Sequence, residues 1–214
     1  MEATEILQEI AGQVSACEKC NLHYSRKHAV PGEGPVNARL LFIGEGPGFN
    51  ENEMGRPFVG QAGKFLDELL DFAGFKREEV FITNVVKCRP PENRDPLPDE
   101  LNACAAYLDR QIEAINPDVI VTLGRFSMAK FLPNARISDV HGKPAWVKDR
   151  LIVPMYHPAA ALHQPSLKNS VIADFKSLPD VITEGQNKKQ VMFEQQKKEE
   201  DKAASDSAEQ LSLF

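Results

Sequence analysis

The sequence predicts an α/β fold: a three-layer α/β/α sandwich around a central four-stranded, mostly parallel sheet. Two observations carry this. Four short apolar runs, at 40–43, 80–87, 118–124 and 150–156, are rich in Leu, Ile, Val and Phe without polar alternation, the pattern of strands buried on both faces. Stretches with apolar residues at helical spacing stand between them, so right-handed βαβ crossovers and a parallel sheet follow.

The elements follow in order. Residues 5–14 place Ile6, Leu7, Ile10, Ala11 and Val14 on one helical face. The first strand, Leu40-Leu41-Phe42-Ile43, runs into Gly44-Glu45-Gly46-Pro47-Gly48, and residues 49–60 read as loop because Pro57 interrupts regular structure. Residues 63–74 form a helix with Phe65, Leu66, Leu69, Leu70 and Phe72 toward the sheet. The second strand, 80–87, gives way to a proline-rich loop at 88–96, followed by a helix over 98–115 that carries Cys104. The third strand ends at Gly124 and leads to a short helix reaching Leu132; the fourth ends at His157-Pro158, and a last helix covers about 166–181.

At 214 residues the chain accommodates one domain, residues 1–184, and a tail, 185–214. The tail is dominated by Lys, Glu, Gln, Asp, Ser and Ala and cannot bury enough surface to offset its ordering entropy. No apolar run is long enough to span a membrane, and Met1-Glu2-Ala3-Thr4-Glu5 is no signal peptide, so a cytoplasmic protein with cysteines present as thiols is expected. A net charge of −6 argues against indiscriminate nucleic-acid binding, but a local basic face remains open.

The glycine loop after the first strand lies where parallel sheets bind ligands, outside the strand carboxyl ends. It is no dinucleotide fingerprint: its third glycine comes one residue early, and Glu45 places negative charge where a pyrophosphate would lie. A neutral, hydrogen-bonding ligand suits it better. Glu45 follows the first strand, Asn84 stands within the second, His157 follows the fourth, and Phe58 sits in a proline-anchored loop where no core element requires it. Together they supply a carboxylate, an amide, an imidazole and an aromatic face, a set that recognises and acts on a flat heterocycle. The four cysteines, Cys17, Cys20, Cys88 and Cys104, come from three separate places. Spacing alone leaves free thiols, a structural zinc and an iron–sulfur cluster open.

The stretches 44–48 (GEGPG), 55–63 (GRPFVGQAG), 83–91 (TNVVKCRPP) and His157-Pro158-Ala159 resemble the iron–sulfur, family 4 uracil-DNA glycosylases, in the same order and spacing over residues 1 to about 182. The resemblance implies a uracil-DNA glycosylase-like fold, a 4Fe–4S cluster on the four cysteines, uracil-containing DNA as substrate, and monofunctional hydrolysis of the N-glycosidic bond at the start of base excision repair. It places Phe58 on the face of a flipped base, Asn84 on its O4 and N3–H, His157 on O2, and Gly44 and Gly46 against the base and sugar. It sets Glu51 near C5, where thymine carries its methyl, and Glu45 as the residue that positions water or stabilises the sugar cation. Gly46 stands where better-known uracil glycosylases carry an aspartate that activates water. Glu92 and His163 depart from the glycine and arginine common at their positions, which implies modest DNA affinity. Lys87, Arg89 and Arg94 are expected on a DNA-facing loop, and a monomer is expected.

The tail ends in Gln210-Leu211-Ser212-Leu213-Phe214, which resembles the pentapeptide by which bacterial replication proteins dock into the DNA sliding clamp. Three large apolar residues at the tip of a polar tail have no folding reason, and tethering would raise the effective concentration at DNA. Two other classes stay in view: a non-catalytic, metal-containing nucleic-acid adaptor and an iron–sulfur electron carrier.

Overall fold

The computed structural model describes residues 2–188; the pentapeptide 210–214 and most of the expected tail lie outside the described residues. Four parallel strands form, β1 (Leu40–Gly44), β2 (Phe81–Asn84), β3 (Val119–Leu123) and β5 (Arg150–Met155), with β2 ending at Asn84 instead of running on to 87. A fifth, β4 (Ala145–Val147), pairs antiparallel with β5 and completes the order β2-β1-β3-β5-β4. It escapes sequence reading because it is three half-buried residues long, too short to show a pattern. Pro154 is tolerated in β5 because β4 pairs only as far as Ile152, so no ladder bond to β4 is lost.

Alternate residues of each strand point to opposite layers. Phe42, Val121, Leu123, Val153 and Met155 pack with Phe65, Leu66, Leu69 and Leu70 of α3 (Gln61–Phe72), and with Val171, Phe175 and Leu178 of the last helix. Leu41, Ile43, Ile120 and Ile152 face the other way, onto Leu108, Ile112 and Ile115 of α4 (Pro98–Ile115). Outside α4 lies α1 (Ala3–Ser15), whose Ile10 and Val14 close on Tyr107. The predicted three layers are therefore present.

Several local expectations change. Residues 49–60 contain a short helix, α2 (Phe49–Met54), which ends at Gly55 before Pro57 is reached. The last helix starts at 168 and is still helical at 188, past the expected start of the tail, and the Gly185 carbonyl accepts a hydrogen bond from Trp146 Nε1. Three further short helices, α5 (Arg125–Ala129), α6 (Ile137–Val140) and α7 (Pro158–His163), follow β3 and flank β5. No helix among the described residues is long and apolar enough to cross a membrane.

The chain leaves β1 toward β2 on one side and β3 toward β5 on the other. The crevice outside the carboxyl ends of β1 and β3 is the topological switch point, where parallel sheets bind ligands.

Candidate active site

A cleft of about 340 Å³ opens at that switch point, and Glu45, Gly46, Glu51, Phe58, Asn84 and His157 all line it. The residues singled out from three strand ends and one loop are thus brought together. Gly44, at the end of β1, is crowded on two sides: a Cβ there would lie 2.4 Å from Asn84 Oδ1 and 2.7 Å from Phe58 Cζ. Glycine at this position is a requirement of close approach.

Phe58 adopts a left-handed backbone (φ 50°) and is buried, its ring stacked on the His157 imidazole with centroids 5.5 Å apart. Three devices hold this unusual residue. Gly63, in the first turn of α3, leaves room for it, since a Cβ would fall 1.9 Å from the Phe58 carbonyl oxygen. The Glu51 carboxylate accepts from the peptide N–H groups of Val59 and Gly60, each at 2.8 Å, and from Gly48 at 3.1 Å, which ties the glycine loop to the Phe58 loop. Arg77 donates to the carbonyls of Pro57 (2.7 Å) and Phe58 (3.2 Å) while paired with Glu33 and Asp67. Sequence reasoning missed Arg77 because it stands 19 residues from Phe58, in an unremarkable charged stretch. Glu51, expected near C5 of the base, lines the cleft, and its two carboxylate oxygens accept from backbone N–H groups of both loops.

Asn84 is buried at the end of β2, and its Oδ1 has no hydrogen-bond partner among the described residues. A buried acceptor left unpaired costs about 1–3 kcal/mol. Asn84 lines the cleft, and a ligand that brings a donor to it there can satisfy this acceptor.

His157 and Glu45 are shifted in opposite directions by one cause. Part of the His157 ring reaches the cleft, but protein packed around it desolvates the imidazolium and lowers the pKa to about 4, with Glu51 opposing. The Ala159 peptide N–H donates to Nδ1 (3.1 Å), so the neutral ring carries its proton on Nε2. Desolvation also raises the Glu45 carboxyl to about 7, assisted by Asp95 and opposed by Arg125. The site therefore offers a neutral imidazole donor and a carboxyl poised near neutrality.

The expected basic loop differs from its sequence reading. Lys87 is fully buried, 1 % exposed, and cannot face a duplex. Arg94 spends its guanidinium on Glu100, and Arg89 lies over the exposed Phe49 ring and donates to Asn93. Glu92 and Asn93 are both left-handed (φ 54° and 56°), a conformation that glycine adopts without penalty.

Cys17 and Cys20 follow α1, Cys88 follows β2, Cys104 lies on α4, and all four line one small chamber remote from the cleft floor. Arg26 donates toward Cys88 Sγ at 3.6 Å. Burial raises the Cys104 thiol to about 11, against the lowering influence of the Lys87 peptide N–H and charge. A single tetrahedral zinc needs sulfurs about 3.8 Å apart, given Zn–S bonds of about 2.3 Å. No three His, Cys, Asp or Glu side chains among the described residues are gathered to hold one metal ion. A four-thiol set lining one chamber fits a larger, all-sulfur-ligated cluster.

A family model of the uracil DNA glycosylase superfamily matches residues 31–176. A type-4 uracil-DNA glycosylase of Sulfurisphaera tokodaii is 49 % identical over 185 residues, covering 82 % of this chain and 84 % of its own. One from Archaeoglobus fulgidus is 46 % identical over 187 residues (83 % and 94 %), and one from Thermotoga maritima 43 % over 183 residues (83 % and 95 %).

The clamp on the Phe58 loop is open to a direct test. Arg77→Met removes the side-chain donor to two carbonyls and to Asp67, while Glu33 keeps Arg56, and the expected loss is about 1–3 kcal/mol in urea unfolding. Amide exchange should quicken at residues 58–60 more than in β1; equal exchange in both would contradict the clamp.

Proposed function

The chain belongs to the type-4 uracil-DNA glycosylases of the uracil-DNA glycosylase superfamily, and from that premise and the geometry of the cleft we propose that it hydrolyses the bond between uracil and deoxyribose in DNA. The observation that carries the reading is the unpartnered Asn84 Oδ1. Uracil presents an N3–H donor beside its O4 acceptor, and one amide answers both, accepting through Oδ1 and donating through Nδ2. Cytosine presents the reverse pattern, so both contacts become repulsive and a buried polar group stays unpaired, a strong basis for rejection.

Entry of the base requires that the nucleotide leave the stack, at a cost of a few kcal/mol. Stacking on Phe58 offsets about 1–3 kcal/mol of that. As the N1–C1′ bond breaks, its electron pair moves into the uracil ring and onto O2. The His157 Nε2–H stabilises that charge without giving up its proton, and such a donor is worth about 2.7–4 kcal/mol. Glu45 orients the attacking water and takes its proton as the C1′–O bond forms, a task suited to a carboxyl near neutrality. Glu51 acts at one remove, fixing the loops that bound the pocket where a thymine methyl would press.

Cys17, Cys20, Cys88 and Cys104 are the residues that would hold a 4Fe–4S cluster, which when bound anchors the segment after β2 to α1 and α4. Residues 210–214 are proposed to dock in a bacterial sliding clamp, delivering the enzyme to newly made DNA for the first step of base excision repair.

Three outcomes follow. Purified protein should release free uracil from a uracil-containing oligonucleotide, with losses of at least about 100-fold in Asn84→Ala and His157→Ala; the preparation should be brown and contain iron, and a colourless zinc protein would sink the cluster assignment. In single-turnover assays the rate should climb about tenfold per pH unit below pH 7 and level off above it, because the Glu45 base is active only when ionised. No limb should appear near 6.5, since His157 is already neutral there, and Glu45→Gln should flatten the profile. Deleting 210–214 should abolish clamp pull-down and leave oligonucleotide cleavage unchanged; retained pull-down would remove the tail from the proposal.

A further inference from the structure

Lys87 is the one lysine among the described residues that is fully buried, and no carboxylate pairs with it there. Its Nζ instead donates to Thr83 Oγ1 (2.6 Å), Gln111 Oε1 (2.7 Å) and the Asn84 carbonyl oxygen (2.9 Å). Each partner is committed as an acceptor. The Thr83 hydroxyl gives its own hydrogen to the Pro31 carbonyl (2.9 Å), and the Gln111 amide gives Nε2–H to the same carbonyl (2.8 Å), which leaves Oε1 toward the lysine. Three acceptors around one nitrogen match the three N–H bonds of an ammonium, and this geometry works against the downward pull of burial on the lysine pKa; a neutral amine has only two.

A buried ammonium without a counter-ion is costly unless charge of opposite sign lies close by. The cysteine chamber supplies it. Lys87 lines that chamber, its peptide N–H donates to Cys104, and its charge acts on the same sulfur. Metal-ligating cysteines are thiolates, and four of them outweigh the charge of a 4Fe–4S core. One side of Lys87 therefore meets the ligand set, while its ammonium grips the peptide that carries the Asn84 amide.

We infer that Lys87 is a positioning residue, the internal counter-cation of the cysteine quartet, whose ammonium fixes the Asn84 peptide so that the amide meets the base in register. This rests on the reading of Asn84 as the base-recognising residue. Lys87 is not a nucleophile: its nitrogen is turned away from the cleft into the network with Thr83 and Gln111, and all three of its hydrogens are engaged.

The test compares the intact protein with Lys87→Met, which preserves length and removes the charge, and Gln111→Leu, which keeps the charge and removes one acceptor. Single-turnover uracil release, iron content and the midpoint potential of the cluster are measured for each. K87M should retain iron, have a more negative potential because a nearby positive charge no longer favours reduction, and lose about 10- to 100-fold in uracil release, as expected when a supporting residue is removed. Q111L should lose activity with no shift in potential, a split that general destabilisation would not produce. Wild-type rate and potential in K87M would overturn the inference. If K87M fails to fold, Q111L decides, and a wild-type rate there overturns it. A wild-type protein that releases no uracil would refute the proposed function instead, and the potential of K87M would still test the charge role.

Discussion

The site depends on how closely the ends of β1 and β2 approach each other. The Gly44 backbone lies so near Asn84 and Phe58 that no side chain fits, and this contact places the amide and the aromatic ring around one cavity. The approach is possible because β1 and β2 are parallel neighbours in register, with Gly44 opposite Asn84. It is maintained by charge: Glu51 gathers three peptide N–H groups from two loops, and Arg77 holds two carbonyls of the Phe58 turn. Ionised groups make stronger hydrogen bonds than neutral ones, and here they offset the strain of a left-handed phenylalanine.

The same enclosure sets the chemistry. Desolvation disfavours whichever form of a side chain is charged, so it moves a carboxyl up and an imidazole down. Glu45 and His157 respond in those two directions within one cleft. The outcome is a carboxyl that ionises near neutral pH in the same cleft as an imidazole that stays neutral there. The Ala159 N–H on Nδ1 supplies what burial cannot, the choice of tautomer.

Behind the cleft, the short segment from Asn84 to Cys88 joins two centres that sequence reading treats as separate. One end carries the Asn84 amide that lines the cleft and the other a thiol of the cysteine chamber, with the buried Lys87 between them. Anchoring at Cys88 and Cys104 limits how far Asn84 can move. Packing around the cysteine chamber therefore bears on the cleft without lining it, through the rigidity of the short segment between them.

The sequence by itself determined the layers, the four parallel strands, the positions of Glu45 and His157 just after their strands, and the family. Buried strands and amphipathic helices leave local periodic patterns, and glycine and proline mark loops where they fall. The tertiary structure decided what has no local signature. β4 is defined by its partner and not by its three residues; Arg77 acts across 19 residues of chain; Lys87, which composition would place at the surface, is buried because Thr83, Gln111, Asn84 and the cysteine chamber surround it. The shifts at Glu45 and His157 belong to the same class, since a pKa is set by the surrounding atoms, and those atoms come from strands and loops far apart along the chain.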